Sequence, residues 1–170
     1  MSAPRKFALV LATAGLAAGG FAATAGSAHA APQAHTFRAS VQNYADDTNL
    51  DEYYGHQRGA VVLTRDAREA YQVFTFTSVG NPASGKYTIK GSHFGLCLAA
   101  KGPGQQIQQE ACDVNKLSQQ WKAGTVEQPT RIESVKFPGQ VLQGNGLDRS
   151  VVTNQYTARS SQLWTLYTKD

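Results

Sequence analysis

The chain of 170 residues is poor in the residues that most often carry chemistry: two cysteines, one methionine, four histidines and only 16% charged residues. Each shortage excludes something. His35, His56 and His93 fall at no ligand spacing, so no metal and no cofactor is called for. No Gly-x-Ser-x-Gly elbow is present and no nucleophile stands beside a visible partner base, so the expectation is a protein that is not an enzyme. Beyond residue 30 no apolar run is long enough to span a bilayer. The basic residues are scattered and do not alternate with aromatics, which argues against nucleic acid as a partner.

The first thirty residues read as a signal peptide. Arg5 and Lys6 form a basic head, Phe7 to Ala23 is mostly apolar, and Ala28-His29-Ala30 has the small-x-small pattern of a cleavage site before Ala31. The expected product, residues 31–170, is secreted, extracellular and free of the membrane after cleavage. Removing Arg5 and Lys6 lowers the formal charge from +4 and leaves 14 basic against 12 acidic residues. In an exported chain the close pair Cys97 and Cys112 predicts a disulfide. A loop of about 16 residues closed in this way contributes on the order of 3 kcal/mol.

Within this segment one unit recurs. Gln72-Val73-Phe74, Gln119-Gln120-Trp121 and Gln162-Leu163-Trp164 each place a glutamine two residues before an aromatic ring, at intervals of 47 and 43 residues. A second echo precedes each glutamine by 11 or 12 positions: Val61-Val62-Leu63-Thr64, Ile107-Gln108-Gln109-Glu110 and Val151-Val152-Thr153-Asn154. The copies run over about 36–79, 84–126 and 129–170, separated by Asn81-Pro82-Ala83-Ser84-Gly85 and Glu127-Gln128-Pro129. Phe37, Ala39 and Val41 alternate with polar residues, as do Tyr87 and Ile89, which predicts strands. The expected fold is all-β, a single threefold pseudo-symmetric barrel whose three rings share one core.

Leu96-Cys97-Leu98, Ile107, Cys112 and Gln119-Gln120-Trp121 together resemble the ricin B-type β-trefoil lectins, whose repeats carry Cys-Leu-Asp, a second cysteine and a Gln-x-Trp ending. The third copy matches through Val141-Leu142, Val151-Val152 and Gln162-Leu163-Trp164, and the first has phenylalanine in place of tryptophan. The resemblance implies a single β-trefoil domain over 31–170 that binds carbohydrate or polysaccharide without catalysis. It makes Gln72, Phe74, Gln119, Trp121, Gln162 and Trp164 structural. Sugar pockets in such proteins use an acid after Cys-Leu and a stacking ring on a later strand. Here the acid positions hold Asp51, Ala99 and Gln143, and the ring positions hold Thr64, Glu110 and Asn154.

The polar sets left as sugar-binding candidates are Asp51 and Tyr53 in copy one, Gln108 and Glu110 in copy two, and Gln143, Asn145 and Asn154 in copy three. Tyr54, adjacent to Tyr53, faces the other way if both lie in a strand. The alternative is a secreted β-trefoil inhibitor, whose partner is a protease held by a rigid loop, with Lys101-Gly102-Pro103-Gly104 and the arginines at 58, 65 and 68 as available basic residues. Asp46, Asp47 and Asp51 lie close in sequence, but Glu52 and Arg58 stand where a calcium loop needs glycine and glutamate, so the segment reads as a solvated acidic loop.

Overall fold

The computed structural model describes residues 34–52, 63–65 and 71–170, with the backbone alone for 63–65. The leader, Tyr53, Tyr54, His56, Arg58 and Arg68 lie outside the described residues. Among those described, no helix is long and apolar enough to cross a membrane.

Among the described residues twelve strands form one sheet, four to a copy. Copy one contributes β1 (Thr36–Asn43), β2 (Asn49–Asp51), β3 (Leu63–Arg65) and β4 (Val73–Ser78). Copy two contributes β5 (Lys86–Gly91), β6 (Cys97–Ala99), β7 (Gln108–Glu110) and β8 (Gln120–Ala123). Copy three contributes β9 (Ile132–Ser134), β10 (Gln140–Gln143), β11 (Val152–Gln155) and β12 (Trp164–Lys169). Arg65, considered from sequence as a loop residue, lies in β3.

The first and last strands of each copy pair in series, β12 with β1, β1 with β4, β4 with β5, β5 with β8 and β8 with β9. Reciprocal backbone hydrogen bonds between Thr130 and Trp164 close the ring. The middle strands of each copy pair as hairpins, β2–β3, β6–β7 and β10–β11, over one end of the barrel. This is the β-trefoil expected from the repeats.

The alternation along each strand explains the packing. In β1, Ala39 and Val41 are buried while Arg38 faces solvent, and in β4 Phe74 and Phe76 are buried between the half-buried Val73, Thr75 and Thr77. Phe74, Trp121 and Trp164, one ring per copy, are fully buried in a single core with Leu50, Leu98 and Leu142 from the hairpins. Each indole also has a polar solution. Trp121 Nε1 donates to the Leu98 carbonyl and Trp164 Nε1 to the Leu142 carbonyl, both at 3.0 Å, so neither N–H is buried unpaired.

Two glycines are required by geometry. Gly85 ends the turn Pro82–Ser84 in the left-handed region at φ +63°, where a β-carbon would also come 3.3 Å from the Ala123 carbonyl. Gly91 is needed for space, since a β-carbon there would fall 2.0 Å from the Glu52 carboxylate. Cys97 and Cys112 form a disulfide, with α-carbons 5.0 Å apart, tying β6 to the segment after β7.

Candidate functional site

The three hairpins place corresponding residues at corresponding positions, so the copies can be compared side chain by side chain. In copy three, Gln143 pairs in register with Val152 and Val141 with Asn154. Residues opposite each other in an antiparallel pair share a face, so Gln143 and Asn154 stand on the same side of this hairpin. Gln162 reaches the hairpin from the turn before β12. Its Nε2 donates to Gln143 Oε1 at 3.1 Å and to the Gln155 carbonyl at 2.7 Å, while its Oε1 accepts from the Thr157 N–H at 2.7 Å. Gln143 Nε2 then donates to Asn145 Oδ1 at 3.2 Å, and Asn145 Nδ2 to the Ser150 carbonyl at 2.7 Å. The result is a continuous amide line from a buried glutamine to an exposed asparagine. Asn154 is exposed, and its Oδ1 accepts from the Gln155 N–H at 3.1 Å.

Copy two uses its glutamine in the same way up to a point. Gln119 Nε2 donates to the Ala111 carbonyl at 2.9 Å and its Oε1 accepts from the Asp113 N–H at 2.8 Å, matching the Gln155 and Thr157 contacts of Gln162. The match ends where Gln143 would be, because that position is Ala99, buried and without a polar side-chain atom. Gln108 and Glu110 lie on one face of β7, opposite Ala99 and Cys97. Glu110 is bracketed by the ammonium groups of Lys101 and Lys116, and hydrogen bonding from both, Lys101 first, holds its carboxyl down to about 2. Its charge is therefore already neutralised within the copy.

Copy one encloses its acid. Asp51 is 3% exposed and its Oδ2 accepts from Gln72 Nε2 at 3.0 Å. The Asp51–Gln72 pair occupies the place of Gln143–Gln162, with a carboxylate in place of an amide. Tyr53 lies outside the described residues. Asp46 is turned the other way, its Oδ1 accepting from both the N–H and the hydroxyl of Thr48. Among the described residues no group of three His, Cys, Asp or Glu side chains converges as a metal site.

Residues 37–164 match the family model of the ricin-type beta-trefoil lectin domain. The chain belongs to that family. No curated protein matches this lectin-family chain at the level of sequence. Among solved structures, the designed threefold-symmetric protein ThreeFoil is similar over 76% of this chain and 97% of its own length, with 18% identity and a TM-score of 0.67. A Polyporus squamosus lectin, solved with a human-type influenza-binding epitope, is similar over 76% of this chain and 48% of its own, with 19% identity and a TM-score of 0.63. An endo-β-galactosidase from Clostridium perfringens is similar over 79% of this chain and 33% of its own, with 15% identity and a TM-score of 0.65. The trefoil thus spans about half of the first of these two natural proteins and a third of the second. At such identities the likeness is one of fold.

For this ricin-type trefoil, sequence reasoning nominated the polar residues of copy three without the glutamine that joins them. Gln162 was assigned to structure, yet it also sets the orientation of Gln143. The signal available was the pairing of positions: a polar residue after each hairpin leucine wherever the repeat glutamine has a side chain to bind, as in Asp51 with Gln72 and Gln143 with Gln162. Glu52 was not nominated at all. It is fully buried, and its two carboxylate oxygens accept from the His93 and Phe94 N–H groups at 2.8 and 3.0 Å, clamping the β5–β6 turn of copy two onto copy one. Nothing local in the sequence marks that contact.

Proposed function

We propose that this trefoil is an exported, non-catalytic carbohydrate-binding domain whose working pocket is that of copy three. The observation that carries the reading is the amide line Gln162–Gln143–Asn145, which starts in the core and ends at the surface. Amides anchored in this way present donors and acceptors in fixed directions, the requirement for reading sugar hydroxyls at low ordering cost. Leu147, 48% exposed in the loop that follows, offers an apolar patch for a sugar C–H face. Membership of a lectin family supports the same reading, as does the Polyporus squamosus lectin solved with a human-type influenza-binding epitope. With no ring in the pocket, single-site affinity is expected near the millimolar range, about −4 kcal/mol.

Among the described residues nothing favours the inhibitor reading. Lys101 is engaged by Glu110, and Gly102 beside it is buried with its carbonyl accepting from the Thr153 hydroxyl; the side chains of the other basic candidates, Arg58, Arg65 and Arg68, lie outside the described residues.

The test is binding of the protein to an array of neutral glycans, with free sugar as competitor, repeated with Gln143→Ala. Competable binding that is lost in the variant supports the pocket. A blank array from folded protein, or binding indifferent to Gln143→Ala, rejects it.

A further inference from the structure

The hairpin end is not the only surface with a built-in polarity. Register places Lys169, Arg38, Thr75 and Lys90 directly opposite one another across β12, β1, β4 and β5. At the usual strand spacing this row crosses about 14 Å of barrel wall. The five adjacent strands β12, β1, β4, β5 and β8 carry Lys169, Arg38, Lys86, Lys90 and Lys122 and no acidic residue.

Glu110 is shared by Lys101 and Lys116, and Glu133 pairs with Arg131 at 3.5 Å and stands opposite Lys122. Among the described residues no side-chain carboxylate pairs with Arg38, Lys90 or Lys169. Arg38 Nη1 donates to a main-chain oxygen of Asp170 at 2.9 Å. Like charges held directly opposite, as Arg38 and Lys169 are, cost stability. A face that keeps them so is suited to an anion from outside.

The surface is also concave. Two depressions, of about 340 and 480 Å³, are both lined by Arg38, the first also by Lys169 and Asn49 and the second by Thr75, Lys90 and His93. Asp170 lines the first and is, among the described residues, the one acid that lines either. Thr75 stands between Arg38 and Lys90 in register, and Ser40 and Thr77 also line the depressions.

We propose that this wall is a second binding surface, which takes a linear anionic polysaccharide bearing carboxylate or sulfate groups. The cations would meet the charges, spaced along one row, and the serine and threonine hydroxyls would meet the sugar hydroxyls between them. The choice of a glycan over another polyanion rests on the carbohydrate reading above. The surface itself is separate from the copy-three pocket.

The test uses the full chain against polygalacturonate and dextran sulfate, with neutral dextran, single-stranded DNA and anionic phospholipid vesicles as comparisons. The matched variants are Arg38→Gln/Lys90→Gln/Lys169→Gln and the charge-preserving Arg38→Lys/Lys90→Arg/Lys169→Arg. The expected result is binding to at least one acidic glycan, weakened about tenfold or more by the glutamine variant and retained by the charge-preserving one. Binding should fall as salt rises from about 0.1 to 1 M. Absence of binding to both acidic glycans overturns the proposal, as does equal binding by the glutamine variant. Tighter binding to DNA or vesicles overturns the choice of occupant. Neutral-glycan binding that depends on Gln143 should be the same in all three proteins, so failure of the copy-three pocket and failure of this wall are read separately.

Discussion

Replacing either core tryptophan by phenylalanine tests the account of how the copies hold together. Trp121 and Trp164 are fully buried and each donates one hydrogen bond to a hairpin carbonyl at 3.0 Å, whereas copy one folds around Phe74. Trp121→Phe removes the donor and leaves the Leu98 carbonyl without it, which costs about 1–3 kcal/mol for a buried group. The smaller ring also leaves a void of roughly 40 Å³, worth about 1 kcal/mol at the usual cost of residual cavity volume. The sum, about 2–4 kcal/mol, is a large share of the stability of a domain of this size. Trp164→Phe should cost the same, because its contacts are the same. Urea unfolding followed by far-UV circular dichroism gives both numbers, and since the chain has only two tryptophans, fluorescence in each variant reports the other copy alone. A loss below about 0.5 kcal/mol in both variants would refute the reasoning, because that is the range of substitutions that disturb nothing buried.

Other outcomes follow from single contacts. Reduction of the Cys97–Cys112 bridge, which closes a separation of 15 residues, should lower stability by about 3 kcal/mol, read as a shift in urea midpoint with and without reductant. Glu110 has a carboxyl held low by two lysines, so its contribution is complete above the ordinary carboxylate range and is lost as pH falls towards about 2. Glu110→Gln should therefore cost up to about 1 kcal/mol at pH near 6 and close to nothing at pH near 2, since pairs this exposed are worth little. Glu52 behaves in the opposite sense. Burial raises its carboxyl despite the two N–H groups it accepts, so ionisation penalises the fold as pH rises through and above the ordinary range. Glu52→Gln, which leaves one of those N–H groups unpaired, should cost about 1–3 kcal/mol at pH near 4 and less at pH near 7. Equal costs at the two pH values would contradict the assignment.

The architecture was legible because it is repeated. Three glutamine–aromatic pairs and the period-two alternation of Ala39 and Val41 or Tyr87 and Ile89 are local patterns, and a threefold barrel is what satisfies them together. The disulfide was legible for a similar reason, as two close cysteines in a chain read as exported have few alternatives. The site was less so. That Glu110 is neutralised depends on Lys101 and Lys116, nine and six residues away through turns, which only the folded loops bring to one carboxylate. Gln143 and Gln162 are 19 residues apart and meet because the turn before β12 lies under the β10–β11 hairpin. The cationic wall is spread over four strands distant in sequence, so the scattered charges of the linear chain become a row only once register is known. Tertiary pairing, which no local pattern encodes, decides all three.

The central claim is that sugar is held at copy three. It is tested most directly by backbone amide chemical-shift mapping of the isotope-labelled protein during titration with a neutral sugar that binds on the array. Perturbations concentrated at Gln143, Asn145, the Ser150–Val152 segment and the side-chain amide of Gln162 are the predicted result. Perturbations centred on the hairpins of copy one or copy two, with the copy-three amides unmoved, would contradict it.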